Sequence, residues 1–256
     1  MTTNLRTVRV IGIGAGDPSL ITMQAAAALD EVDVFVVIDK GDAKDDLLAV
    51  RREVLERFAT KRPYRVIEIS DPVRDSSLGY AEAVALWHLA RLALIERALL
   101  DEVESHETVG LLVWGDPSLY DSTLRIIDQL NSRGNVAVEH TVYPGVSSVQ
   151  LLTARHRIAL NRIGHSVHIT TGRLLREGLP AGVDDVVVML DGETSFTALI
   201  GRGYEIFWGA FLGSADEVLI VGRLDDVADE IVRVRAAERE RKGWIFDTYL
   251  LRRETR

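Results

Sequence analysis

The sequence predicts a two-domain α/β protein, with a mostly parallel sheet in the N-terminal half and a mixed sheet in the C-terminal half. Three observations support this. Two apolar, β-branched runs end in the same punctuation: Val8 to Ile13 leads into Gly16-Asp17-Pro18, and Thr108 to Val113 into Gly115-Asp116-Pro117. Such runs read as strands buried on both faces. Ligands of an open parallel sheet sit beyond the carboxyl ends of its strands, so the two loops predict two walls of one pocket. Strands and helices then alternate up to Val142, as in a doubly wound half. After Tyr143-Pro144-Gly145-Val146-Ser147-Ser148 the helices thin out. The boundary is expected there, giving an N-terminal α/β domain over 1–146 and a C-terminal mixed α/β domain over 147–256.

In chain order, the first strand is Val8 to Ile13. Thr22 caps a helix from Met23 to about Glu31, rich in alanine. Asp33 to Ile38 is the second buried strand, completing a βαβ unit. A polar loop through Asp39-Lys40-Gly41 leads to a helix over Leu47 to Phe58. Tyr64 to Ile69 alternates like a strand and ends in Asp71-Pro72-Val73-Arg74-Asp75. Ala81 to Glu104 is a long helix, apolar at Ala81, Val84, Leu89, Leu92 and Leu99, and expected to pack on the sheet. The strand Thr108 to Val113, a helix over Ser122 to Arg133 and the strand Val136 to Val142 close the first half. The second half reads as a short helix at Val149 to Ala154 and strands at 167–171 and 185–190. A helix around 196–200, strands at 204–211 and 218–221, a helix at 227–241 and a last strand at 244–251 complete it.

Apolar residues make up 47% of the 256 and charged residues 27%, enough for a core in each of two domains. The absence of cysteine excludes disulfides and thiolate metal sites and fits a reducing, cytoplasmic setting. No signal-peptide pattern opens the sequence, and no apolar run reaches the ~18 residues of a membrane span. A net charge of −9 argues against nucleic acid as the partner.

Gly12, Gly14 and Gly16 resemble a dinucleotide fingerprint, with Asp39 as the ribose acid, but the third glycine falls one position early. Asp17 occupies its place; a carboxylate there repels a pyrophosphate, and Pro18 removes an amide that phosphates use. Asp116-Pro117 repeats the objection. Two acidic, glycine-lined loops suit a cationic ligand without phosphate, and S-adenosylmethionine fits that description.

Several motifs carry a resemblance. Gly12-x-Gly14-x-Gly16-Asp17-Pro18 with Leu20-Ile21-Thr22, Gly115-Asp116-Pro117-x-x-Tyr120, and Pro144-Gly145-Val146-Ser147-Ser148 resemble the tetrapyrrole methylases, class III S-adenosylmethionine-dependent methyltransferases. The resemblance spans nearly the whole chain. It implies two α/β domains with the cofactor in the cleft between them, a tetrapyrrole (precorrin) substrate and a homodimer. It implies cofactor contacts at Pro18, Trp114, Gly115, Asp116, Tyr120, Ser147, Ser148, Met189, Leu190 and Ala210. Asp39-Lys40-Gly41-x-x-Lys44, Asp71-Pro72-x-Arg74-Asp75, Asp121-Ser122-Thr123, Ile169 to Arg173 and Lys242 to Leu251 resemble a deacetylating branch of that family. Trp114 stands where uroporphyrinogen methylases carry a second glycine, which also favours that branch. The branch methylates C-1 of the macrocycle and releases the C-20 acetyl group as acetate.

Methyl transfer from a sulfonium needs in-line positioning and no metal or covalent nucleophile. Deacetylation needs a proton acceptor; Asp39, Asp42, Asp121, His156 and Asp191 are candidates among which the sequence does not choose. A polyanionic acceptor needs cations. From Arg155 to Arg176 there are five arginines and three histidines without one acid, and arginine suits bidentate carboxylate recognition. Arg173, Arg155 and Arg157 are the expected contacts, followed by Arg74 and Lys44. Trp87, Trp208 and Trp244 are expected in the core. Two alternatives stay open: a methylase of this fold with another acceptor, and a non-catalytic module that binds a nucleotide-like ligand.

Overall fold

The computed structural model describes residues 4–39, 45–73, 75 and 77–254, with the backbone only at Asp45, Asp46, Tyr80 and Ala81. The chain divides into two compact units, Met1–Val146 and Ser147–Arg256.

The first unit contains β1 (Leu5–Gly12), α1 (Met23–Leu29), β2 (Val34–Asp39), α2 (Asp45–Phe58), β3 (Arg65–Ser70), α3 (Tyr80–Asp101), β4 (Thr108–Val113), α4 (Thr123–Arg133) and β5 (Ala137–Tyr143). Its sheet runs β3-β2-β4-β1-β5 with every pair parallel. The apolar runs form strands because both faces are covered. α1 and α2 bury Ala25, Leu29, Val54 and Leu55 on one face, and α3 and α4 bury Leu92, Ile95, Leu99, Ile126 and Leu130 on the other. β4 lies at the centre, so its loop leaves from the middle of the carboxyl edge.

The second unit contains α5 (Ser148–His156), β6 (Val167–Thr171), α6 (Gly172–Glu177), β7 (Asp185–Met189), β8 (Tyr204–Ala210), β9 (Val218–Arg223), α7 (Leu224–Lys242) and β10 (Asp247–Arg253), with a 3-10 turn at Ser195–Leu199. The order is β6-β7-β10-β8-β9; β6 and β7 pair in parallel and the other pairs are antiparallel. This is the mixed sheet expected. Its core gathers Trp208, Tyr249, Phe196 and Ile231, all fully buried.

Three expectations need correction. α3 contributes to the core under the sheet through Leu92, Ile95, Ala98 and Leu99, whereas Leu86 and Leu89 are each 49% exposed. Its apolar residues run all round the helix, so periodicity could not show which half is covered. No helix was expected between the strands at 167–171 and 185–190, but the chain turns helical at Gly172. β10 begins at Asp247; before it Trp244 and Phe246 pack edge-on in an aromatic group with Phe211, whose amide donates to the Phe246 carbonyl at 2.9 Å.

Candidate active site

The carboxyl edge of the first sheet is knitted from three loops. After β1 and β4 the backbone continues as a two-residue bridge: Gly115 N–H donates to the Gly14 carbonyl at 2.8 Å, and Gly14 N–H to that of Gly115 at 3.3 Å. The third loop, after β5, presses in so closely that a Cβ on Gly145 would overlap the Gly115 carbonyl oxygen. Gly115 itself has φ +70°, where a side chain is strained. Backbone-to-backbone packing therefore explains these two glycines, where the sequence suggested approach to a ligand.

The acids of the loops hold the loops. Asp17 accepts the Ser19 amide at 2.8 Å as the cap of the 3-10 turn Pro18–Leu20. Asp116 accepts the Ser118 amide at 2.9 Å and the Ser118 hydroxyl on one oxygen, and the Gly145 amide at 2.9 Å on the other. Burial pushes the Asp116 carboxyl up, but these donors outweigh it and hold it below the ordinary carboxylate range. Each carboxylate thus has a duty within the fold: Asp116 ties the loop after β4 to the loop after β5, and Asp17 caps its own turn after β1. What the edge offers a ligand is backbone, the buried Pro18, the half-buried Trp114 and Tyr120.

Tyr120 adopts φ +52° while 44% exposed. Non-glycine residues rarely enter the left-handed region, and those that do cluster at ligand sites. In the second unit Leu190, 58% exposed, and Phe211, next to the buried Ala210, do the same at φ +53° and +48°. Tyr120 and Leu190 were expected cofactor contacts, and Phe211 adjoins one. Ser147 caps α5 in a capping box with Gln150, and Ser148 Oγ accepts a hydrogen bond from Thr248 Oγ1 at 3.0 Å.

The candidate proton acceptors separate clearly. Asp191 is 4% exposed, and its two oxygens receive four donors: the Glu193 amide at 3.0 Å, Ser195 Oγ at 2.8 Å, the Ser195 amide at 2.6 Å and the Tyr249 hydroxyl at 2.7 Å. No lone pair is left for catalysis, and the residue belongs to a buried network. In that network Arg235 pairs with Asp247 at 3.0 Å and Trp208 Nε1 donates to Asp247 at 3.0 Å. Burial raises the Asp247 carboxyl and raises the Tyr249 hydroxyl well above its ordinary value. His156 hydrogen-bonds the Trp208 carbonyl at 3.1 Å and lies edge-on to Phe207; burial lowers its pKa. Asp121 is exposed at the start of α4 and accepts the Thr123 amide at 2.7 Å. Asp39 ends β2 at the carboxyl edge. Asp42 lies outside the described residues.

The arginine-rich stretch is not the cationic patch its sequence suggested. Arg155 pairs with Glu217 at 2.8 Å, Arg162 with Asp185 at 3.1 Å, Arg173 with Glu177 at 3.2 Å, and Arg176 with Glu193. All four acids lie outside the stretch, which is why reading it alone missed them. Arg157, exposed in the left-handed cap of α5, has no such pair among the described residues. Arg74 and Lys44 lie outside the described residues. Among the described residues no group of three or more His, Asp or Glu could hold a metal ion, and no helix is long and apolar enough to cross a membrane.

The sequence reading missed a second cationic group in the first unit. Arg91 of α3 grips Asp71 through two hydrogen bonds of 2.7 and 3.1 Å and stacks on Trp87, 4.1 Å from the ring centre. Arg125 of α4 bonds His88 at 2.7 Å, and Arg51 of α2 lies within reach of the charges of Arg91 and Asp121. The Asp71-Pro72 loop was noted as a motif, but its partner stands 20 residues away.

The model of the tetrapyrrole (corrin/porphyrin) methylases matches residues 7–228. The chain is 44% identical over 250 residues to a precorrin-6A synthase [deacetylating] of Sinorhizobium sp., covering 97% of this chain and 96% of that protein. A putative cobalamin synthesis related protein (CobF) of Corynebacterium diphtheriae is similar in structure, with a TM-score of 0.84 and 38% identity over 97% of this chain and 98% of that one. A cobalt precorrin-4 methyltransferase shares the fold alone, at TM-score 0.62 and 17% identity over 96% and 94% of the two chains. This chain belongs to the tetrapyrrole methylase family.

Proposed function

We propose that the chain is an S-adenosylmethionine-dependent C-methyltransferase of cobalamin biosynthesis, a precorrin-6A synthase (deacetylating). It methylates precorrin-5 at C-1 and releases the C-20 acetyl group as acetate, giving precorrin-6A. The observation that carries this reading is the 44% identity to the Sinorhizobium enzyme over 97% of this chain, with the loops of the first sheet all inside the matched region.

The donor supplies a methyl group already activated on a sulfonium. The chain's part is to hold donor and acceptor carbon in line, excluding water. The reading gives the donor to the backbone of the Gly14 and Gly115 turns, Pro18, Trp114, Asp116 through its loop, and Tyr120. It keeps Ser147, Ser148, Met189, Leu190 and Ala210 as donor contacts on the second unit. Rigid, backbone-bridged loops support it, since they need no ordering when a ligand binds. For deacetylation, water adds to the acetyl carbon, the bond from that carbon to C-20 breaks, and C-20 takes up a proton as acetate leaves. Asp39 and Asp121 suit the base; Asp191, with its lone pairs engaged, does not. A cytoplasmic homodimer completes the reading. The absence of cysteine and the exposed Leu86 and Leu89 of α3 support it.

Mass spectrometry of the product formed from precorrin-5 and methyl-labelled donor tests the proposal. The expected product has gained one labelled methyl and lost the acetyl carbons, which appear as free acetate. An unlabelled tetrapyrrole, or labelled product that keeps its acetyl group, overturns it.

A further inference from the structure

Arg51 and Arg91 start on opposite faces of the first sheet, since α2 and α3 cover different sides of it. Their charges nonetheless act on each other, and Arg51 also feels Asp121, which follows the central strand. Asp71, which Arg91 grips, follows β3, and Asp121 follows β4, so the group lies beyond the carboxyl ends of those strands. α3 allows this because it comes level with the end of β3 only near Arg91, where it grips Asp71. Between Ala83 and Arg91, both buried, the helix exposes Leu86 and Leu89.

The group is unevenly balanced. Arg91 is 7% exposed and its charge is answered by Asp71. Among the described residues neither Arg51 nor Arg125 has a carboxylate within ion-pair distance. Arg51 gives one hydrogen bond to the Leu47 carbonyl at 3.0 Å, and Arg125 one to neutral His88. His88 cannot share the positive charge: burial and the neighbouring Arg125 and Arg91 lower its pKa, while its Nδ1 is buried without a partner. A half-buried guanidinium without a carboxylate is costly unless something supplies one. The contrast with the second unit, where four arginines of one stretch find acids, makes this deficit local.

We propose that Arg51 and Arg125 receive carboxylate groups of the methyl acceptor, with Arg91 and His88 as positioning residues that hold this seat at the edge of the first sheet. The inference rests on the function proposed above and names which cations serve it.

The test uses the full chain with Arg51→Met, Arg125→Met and Arg125→Lys. It measures the acceptor KM, the donor-product affinity by calorimetry, and binding of uroporphyrin, an octacarboxylate, by fluorescence. Each Met variant should raise the acceptor KM and the uroporphyrin Kd about 10- to 100-fold, as expected for a lost charged hydrogen bond. S-adenosylhomocysteine affinity should stay unchanged, and Arg125→Lys should recover part of the loss. If Arg51→Met fails to fold, the exposed Arg125 decides alone. Unchanged KM and unchanged uroporphyrin binding in the folded variants overturn the inference. Should the wild type transfer no methyl to precorrin-5, the reading of function fails separately. Uroporphyrin binding then still decides the seat: a loss in the Met variants sustains it, and no change overturns it.

Discussion

Two regions gather arginine, and they use it in opposite ways. Between Arg155 and Arg176 five arginines stand close in sequence without an acid among them, yet in space four are answered by acids from elsewhere in the second unit. Arg51, Arg91 and Arg125 lie on three different helices, 40 and 34 residues apart, yet they converge at one edge of one sheet with, among the described residues, a single salt bridge. Charge that is dense in sequence is neutralised, and charge that is dispersed forms the patch. A net positive site is a property of what the fold brings together: among the described residues Arg51 and Arg125 of the first unit are left over for a ligand, against Arg157 alone in the arginine-rich stretch.

The comparison predicts a stability loss in one region and a binding loss in the other. The largest effect should come from the buried network of the second unit. Asp247→Ala leaves Arg235, 6% exposed, without its carboxylate, and breaking such a pair costs about 3–5 kcal/mol. Chemical denaturation should show that loss, while surviving folded protein keeps its acceptor KM; a raised KM at full stability would make the network part of the site. Gly145→Ala comes next. Forcing a Cβ against the Gly115 carbonyl should cost about 1–3 kcal/mol, as overpacking does, and donor affinity should fall with it. Normal affinity for S-adenosylhomocysteine in this variant would mean that the loop packing does not shape the donor site.

Smaller effects sharpen the contrast. Arg155→Ala and Arg173→Ala each break a pair that is partly or largely exposed, worth about 0.2–1 kcal/mol. Acceptor KM should move less than about twofold, far below the change expected at Arg51 or Arg125. Equal effects in both regions would erase the distinction. The smallest concerns pH. The Asp116 carboxyl lies below its ordinary value in the folded protein, so its stabilisation is present above the unfolded value near ~4 and is lost as pH falls through the lower folded value. Asp116→Asn should flatten the acid limb of the stability curve; an unaltered acid limb would show that its three donors contribute nothing.

Much of the fold was legible because burial on both faces leaves a plain signal. β4 falls where its apolar run predicted, and so does β6, although β6 is a half-exposed edge strand. α3 was harder to read, since a helix apolar all round looks equally ready to pack along its whole length. α6 was hidden because it is only six residues long and opens on Gly172 directly after the strand. At the site, the loops were legible and the duties of their side chains were not. The spacing around Asp17 and Asp116 did not show that each also accepts an amide two residues on. Asp191 looked available until Ser195 and Tyr249 closed round it. Partners chosen by the fold, some of them 58 residues away, leave no trace in the local spacing.

The central claim is that the carboxyl edge of the first sheet is the working edge of the molecule. Amide hydrogen exchange on adding S-adenosylhomocysteine tests it most directly. The account predicts slowed exchange in residues 12–20, 113–121 and 143–148, the three loops that pack backbone to backbone. Saturating ligand that leaves those segments unchanged and protects 172–203 would contradict it.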